Sequence, residues 1–354
     1  MVSRGAIAIA VAVLALGACA QDREFPPEMA PSAAGPVFAD VSALPGWGEE
    51  DHLAALGAVR AACAVDRAAP AFCRAAAALD FFDETSARAF LEANFRAMRL
   101  PASGRLTGYF MPVYEARQTP SDEFSAPVRP RPVDLPVQDL SPTARAPYAD
   151  RAAIEARPAS DALAWMRAED LFFMQIQGSG VLIFPEGERK KAVFAGDNGA
   201  PFVGIAGPMR AQGLIADQNG SAGAIHDWLA QHRGPDAQAV MALDPRYVFF
   251  SLTRDDGGDP FGAAGQRLVA GRSVAVDPAW HAMGELLWID GETPALAGAM
   301  PSYRRLAVAL DTGGAIKGQA RADLYLGRGP AAGQEAGRVR HDLTLYRLVP
   351  REGQ

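Results

Sequence analysis

The sequence predicts a mainly β protein with a helical N-terminal part, and three observations carry that prediction. Thirty-five glycines and 27 prolines in 354 residues demand many turns. Six short apolar runs between residues 247 and 349 are separated by glycine-rich turns, the pattern of a barrel or sandwich. Residues 51–99 instead repeat apolar side chains at helical spacing. With 49% hydrophobic and 21% charged residues the chain is globular, not disordered or fibrous. A net charge of −7 argues against a nucleic-acid partner, which would call for a basic surface. Three cysteines and five scattered histidines offer no zinc framework.

At the N-terminus, Arg4 precedes an apolar run from Ala6 to Ala18. This is an export-signal pattern, too short for a spanning helix of about 20 residues. It ends in Leu16-Gly17-Ala18-Cys19, which looks like a bacterial lipobox. Cys19 would then be acylated and anchor the protein, with two acyl chains sufficing for stable attachment. Ala20 after the cysteine permits sorting to the outer membrane, by resemblance to lipoprotein sorting. Cleavage after Ala20 by an ordinary signal peptidase, giving a soluble periplasmic protein, is the competing reading. Either cut places the chain in an oxidising compartment, where Cys63 and Cys73 could pair. Closing their loop would contribute roughly 2.5–3 kcal/mol; the alternative is two buried small hydrophobes.

Residues 20–45 read as a proline-containing tether. Helices are expected from Asp51, where Leu53, Leu56, Val59 and Ala62 recur, and over Glu84 to Met98, before Pro101. Leu106 to Tyr114 reads as β. Residues 118–150 hold seven prolines among spaced valines and leucines, so they read as irregular chain packed on a domain. A short helix is expected over Asp161–Arg167, then a strand pair over Leu171–Phe184 around Gly178-Ser179-Gly180, then a helix over Ser221–His232 capped by Ser221. The last third gives strands at Tyr247–Leu252, Ser273–Val276, Leu286–Ile289, Leu306–Leu310, Arg321–Leu326 and Thr344–Val349.

Three aspartates stand out. Asp277 and Asp311 end apolar strands, and Asp323 lies inside one. An unpaired buried carboxylate costs several kcal/mol, so these acids need a reason to be there. Asp311 and Asp323 flank Thr312-Gly313-Gly314, and a turn of that length can bring both to one cleft. Neighbouring acids push their pKa values apart, leaving one protonated, as glycosidic cleavage requires. Turn capping is the plainer role for such aspartates. Gln175 and Gln177 alternate with apolar residues, so on a strand both amides would face one way and could line a sugar groove. Tyr109 offers an aromatic platform. No nucleophile elbow, phosphate loop or dinucleotide fingerprint occurs.

Taken together, Leu106-Thr107-Gly108-Tyr109-Phe110, Pro132-Val133-Asp134-Leu135, Phe172 to Gly180, Tyr247-Val248-Phe249-Phe250, Gly271 to Pro278, Asp311 to Gly318 and Arg321 to Tyr325 resemble the membrane-bound lytic murein transglycosylase A family. The resemblance covers roughly residues 100–350. It implies a double-psi β-barrel carrying the aspartates, from residues 46–109 and 244–354, with a second β domain inserted at 110–243 and a groove between them. It implies a lytic transglycosylase that cuts the MurNAc–GlcNAc bond of peptidoglycan without water, leaving 1,6-anhydro ends. Asp323 would be acid and then base, with Asp311 raising its pKa and Asp277 orienting neighbours. Thr107, Tyr109, Gln175, Gln177, Gly178, Ser179, Gly313 and Gly314 would bind the glycan strand. No cofactor or metal is implied, the protein would be a monomer, and a cell-wall synthesis or division complex is a conceivable setting. The chain departs from the family pattern at Phe110-Met111, Val181 and Ser251, where family members often carry polar or arginine side chains. A non-catalytic peptidoglycan-binding lipoprotein and a hydrolytic glycosidase are the alternatives.

Overall fold

A computed structural model describes residues 37–65, 70–78, 83–136, 148–216, 220–293 and 300–351. The export signal, Cys19, residues 20–36 of the expected tether, residues 137–147 of the proline-rich stretch and Asn219 lie outside the described residues. Residues from Phe38 onward form one compact unit.

The body begins earlier than a tether ending at residue 45 allows. Strand β1 (Phe38–Asp40) pairs with the longer β2 (Phe95–Met111). Behind β1, Val41, Leu44 and Trp47 are buried. Their three-residue spacing suits two short 3-10 turns, which stack residues i and i+3 on one side. Helices α1 (His52–Val65), α2 (Ala71–Ala78) and α3 (Glu84–Asn94) follow. Asp83 caps α3 by accepting from Ser86 N at 2.7 Å. A disulfide joins Cys63 to Cys73 and so ties α1 to α2, with Cα atoms 5.6 Å apart. The helix expected as far as Met98 stops at Asn94. From Phe95 onward burial alternates, a strand's period rather than a helix's.

The chain then leaves for an inserted segment. It comprises β3 (Val113–Glu115), β4 (Ala126–Val128), α4 (Arg151–Glu155), β5 (Ala164–Met166), α5 (Ala168–Gln177), β6 (Gly180–Ile183), β7 (Arg189–Asp197), α6 (Ala206–Ala211), α7 (Ala222–Gln231), α8 (Pro235–Met241) and β8 (Val248–Arg254). Strands β3-β6-β7-β8 form one sheet, and β4-β5 a two-stranded ribbon. Strand β8, which lies beyond the expected 243/244 boundary, hydrogen-bonds to β7. The helix expected at Asp161–Arg167 is instead the strand β5, paired with β4. The strand pair expected over Leu171–Phe184 is a helix, a turn and one strand. An apolar run of this length is ambiguous in period. What decides it is acidic Glu169 and Asp170 in the first helical turn and Gly178 at the end, where φ is +80°. The helix α7 forms as expected, with the Ser221 side chain accepting from Ala224 N.

The remaining strands are β9 (Ser273–Val276), β10 (Leu286–Glu292), β11 (Ser302–Thr312), β12 (Arg321–Arg328) and, after α9 (Gly329–Ala336), β13 (Arg340–Pro350). With β2 they run in the order β2-β12-β9-β11-β10-β13, and β13 pairs back to β2, closing a six-stranded barrel. Closure removes the free edges of the barrel sheet. Leu106, Val274, Val276, Leu287, Ile289, Ala307, Ala309, Ala322, Leu324, Leu343 and Leu345 form its inner core. Alternate residues such as Trp288, Leu306 and Val308 face outward into a second core shared with α1, α2 and α3. Among the described residues no helix is long and apolar enough to cross a membrane.

Candidate active site

Position in the barrel wall brings the acids together. Asp323 on β12 pairs with Ala275 on β9, and Asp311 on β11 pairs with the same Ala275 from the other side. Thr107 on β2 is the partner of Asp323. Thr107, Asp323, Ala275 and Asp311 therefore form a row across four adjacent strands. Two strand spacings put the backbones of the acids about 9–10 Å apart. Leu106, Ala322, Leu324, Val274 and Val276 point into the barrel, so the row between them faces out.

Asp311 joins this row through a bulge. Ala307 and Ala309 point inward, and simple alternation would send Asp311 the same way. The register shifts between Ala309 and Asp311, with Leu310 as the extra residue. A single-residue shift reverses the face of every following side chain. Asp311 thus turns to the outer wall beside Asp323.

The two carboxyls are held differently. Asp311 Oδ1 accepts from Ala263 N and Thr312 N, both at 3.0 Å, and Oδ2 accepts from the Tyr109 hydroxyl at 2.9 Å. Asp323 Oδ1 accepts from Thr107 Oγ1 at 2.5 Å. Both residues are half-buried. Burial raises the pKa of Asp311, against the pull of its three donors. Burial also raises that of Asp323; the Thr107 hydroxyl and Arg321 oppose the rise, and the Asp311 charge adds to it. The two environments differ in the way that lets one acid hold a proton while its neighbour is charged.

Asp277 is not part of the row. It is buried at the end of β9, where Oδ2 accepts from Gly318 N at 2.8 Å and Oδ1 from Ala279 N at 3.2 Å. It fastens the far end of the loop that carries Gly313 and Gly314. The inserted segment meets the barrel on both sides of the row. Gln177 Oε1 accepts from Phe110 N at 3.1 Å, next to Tyr109. The Arg246 side chain lies along Gly314, whose added Cβ would sit 3.3 Å from Arg246 Nε.

Two expected glycan contacts take other positions. On a helix, residues two apart point to different sides, so Gln175 and Gln177 do not share a face. Gln175 is buried, accepting from Arg151 Nη1 at 2.7 Å and donating to the Val248 carbonyl at 3.2 Å. Arg151 itself is buried and also donates to the Asp244 and Arg246 carbonyls. Gln175 is therefore part of the framework of the inserted segment. Gln175→Ala should lower its stability by about 1–3 kcal/mol, because a buried guanidinium donor loses its acceptor. A denaturant titration checks this; wild-type stability with a raised KM would return Gln175 to glycan binding. Tyr109 likewise spends its hydroxyl on Asp311, and its ring sits 5.3 Å from that of Tyr325. Gly178 and Ser179 are half-buried at the turn after α5, Gly313 is half-buried and Gly314 exposed.

Sequence reasoning overlooked Arg321 beside Asp323, Ala263 N on Asp311, and the buried Arg151. Arg321 had a usable signal, lying two residues from an acid on a strand and hence on its face. Ala263 had none, since its contact depends on a loop folding back over 48 residues.

Comparison with known proteins bears on this geometry. A family model described as "MltA specific insert domain" matches residues 105–251, and one described as "3D domain" matches residues 272–349. The chain is 33% identical over 254 residues to membrane-bound lytic murein transglycosylase A of Vibrio cholerae, covering 68% of this chain and 64% of that protein. Escherichia coli membrane-bound lytic murein transglycosylase A is 31% identical over 245 residues, 67% of this chain and 63% of that one. The matches thus span slightly less than two thirds of those relatives' length. The crystal structure of a membrane-bound lytic murein transglycosylase from Agrobacterium tumefaciens superposes with a TM-score of 0.77 at 31% identity, covering 89% of this chain and 98% of that chain. That of Escherichia coli MltA with bound chitohexaose gives 0.65 at 27% identity, covering 89% and 91%. The fold is shared with these structures, and the chain belongs to the membrane-bound lytic murein transglycosylase A family.

Proposed function

We propose that the protein is a lytic transglycosylase that cleaves the β-1,4 bond between MurNAc and GlcNAc in peptidoglycan. The observation that carries the reading is the pairing of Asp323 and Asp311 on either side of Ala275, one carboxyl with a single hydroxyl donor and the other with three donors. Asp311 is the charged member, since hydrogen bonds from N–H and O–H groups favour a carboxylate. Asp323, pushed up by burial and by that charge, keeps its proton and delivers it to the glycosidic oxygen. The developing oxocarbenium charge is met by Asp311. Asp323, now ionised, removes the proton from the muramyl 6-hydroxyl as that oxygen closes on the anomeric carbon. An attacking group within the same sugar avoids capturing a second reactant. Asp277 holds the Thr312–Gly318 loop in place beside the site. Support for the substrate comes from the relatives named as murein transglycosylases and from the chitohexaose bound to Escherichia coli MltA.

Digestion of purified murein sacculi followed by mass spectrometry tests this. Products ending in 1,6-anhydro-MurNAc are expected. Reducing ends would make the enzyme a hydrolase, and no released product would make it a binding protein.

The same reading includes a lipid anchor on Cys19 and a periplasmic site of action at the outer membrane. Cys19→Ser should move the exported protein from the membrane fraction to the soluble fraction, because the acyl chains are its attachment. Unchanged membrane association of that variant would remove the anchor.

A further inference from the structure

The segment Asp255-Asp256-Gly257-Gly258-Asp259 carries the chain from β8 back to the barrel, and it is bound to both sides. Asp255 accepts from Arg189 on β7 at 3.1 Å and from Arg328 on β12 at 2.8 Å. Asp256 accepts from Lys191 on β7 and from Arg267 at 2.8 Å. Arg328 also donates to the Gly258 carbonyl at 3.0 Å, and Arg267 to the Asp259 carbonyl at 2.6 Å. These six contacts hold the segment, two of them from β7 and two from Arg328 on the barrel strand β12.

From it a continuous chain of contacts reaches the acid row. Asp259 Oδ1 accepts from the Tyr325 hydroxyl at 2.8 Å. Tyr325 is fully buried and is the register partner of Tyr109 on β2, with ring centroids 5.3 Å apart. Tyr109 then donates to Asp311 Oδ2 at 2.9 Å. Both tyrosine hydroxyls end on a carboxylate. We infer that Asp259 and Tyr325 are positioning residues for cleavage, holding the Tyr109 ring where its hydroxyl meets Asp311. This rests on the transglycosylase reading and adds to it a control point outside the acid row.

The physical consequence is definite. A donor that stays in place favours charged Asp311, and one that wanders lets Asp311 take a proton at higher pH. The other groups bearing on this corner are Asp323 and Arg321 on β12, Arg105 on β2, and Arg328 behind Tyr325. None of them replaces the Tyr109 hydroxyl at Asp311 Oδ2.

The experiment uses the full chain, assayed on purified sacculi across pH. Tyr325→Phe should lower kcat roughly five- to tenfold, with KM within about twofold. The acid limb of its kcat profile should move upward by about half a pH unit. Tyr109→Phe should do the same more strongly, and the double variant should be no worse than Tyr109→Phe alone, since both act through one bond. Asp259→Asn, which keeps an oxygen acceptor, should retain activity that Asp259→Ala loses. A wild-type kcat and acid limb in Tyr325→Phe, effects that simply add in the double variant, or a change confined to KM would overturn the inference. A KM-only change in Tyr109→Phe would make that residue a sugar platform instead. Absence of anhydro products from the wild-type protein would refute the transglycosylase reading itself, a distinct result.

Discussion

Asp323→Asn is expected to lower kcat on murein sacculi by about a thousandfold, within the range that general acid–base groups supply. Asparagine keeps the size of the side chain and an oxygen that can accept from Thr107 Oγ1, so the β12–β2 pairing should survive. What it removes is the proton for the leaving oxygen and, afterwards, the base for the 6-hydroxyl. Both half-reactions fail together, so no covalent or partly cleaved species should accumulate. Turnover measured by chromatography of released muropeptides, alongside thermal unfolding, checks this. Activity within tenfold of the wild type, with an intact fold, would take the acid role away from Asp323.

Asp311→Asn is expected to act differently. Its charge is the nearest acidic influence raising Asp323, so its removal should bring the basic limb of the pH profile down. The sign follows from the role of Asp323: activity needs it protonated, and it gives up that proton at lower pH once the neighbouring charge is gone. Loss of the anionic partner of the oxocarbenium should also cost roughly a hundredfold in kcat at the optimum. Folding should respond in the opposite direction. A carboxyl whose pKa is raised in the folded state binds its proton more tightly there than in the unfolded chain. It therefore weakens the fold as pH rises through that range, and a neutral asparagine does not. The melting temperature at neutral pH should be equal to or above that of the wild type. A basic limb that stays put or rises would break the proposed coupling between the two acids.

The legible and illegible parts of the molecule divide along a physical line. Strands β9 to β13 were legible because their apolar runs are short and bounded by glycine turns. The helix α7 was legible from its Ser221 cap. The helix α5 was not, because Leu171 to Gln175 is apolar on several sides and its period cannot be read from the run alone. Gln175 looked like a ligand-binding amide for the same reason. Its true partners, Arg151 and the Val248 carbonyl, lie 24 and 73 residues away. The N-terminal body from Phe38 to Leu44 was missed because a few residues of strand and 3-10 turn carry too little pattern.

By itself the sequence determined the fold class and the family motifs, and it singled out three aspartates, since acids set in apolar strands stand out wherever the chain goes. Only the tertiary structure decided where those aspartates sit relative to one another. It put Asp277 at the end of β9, against Gly318, and left Asp311 and Asp323 flanking Ala275. The reason is that side-chain direction on a strand hangs on register. The bulge at Leu310, invisible in the order of residues, turns Asp311 from the packed interior of the barrel to the wall where Asp323 waits.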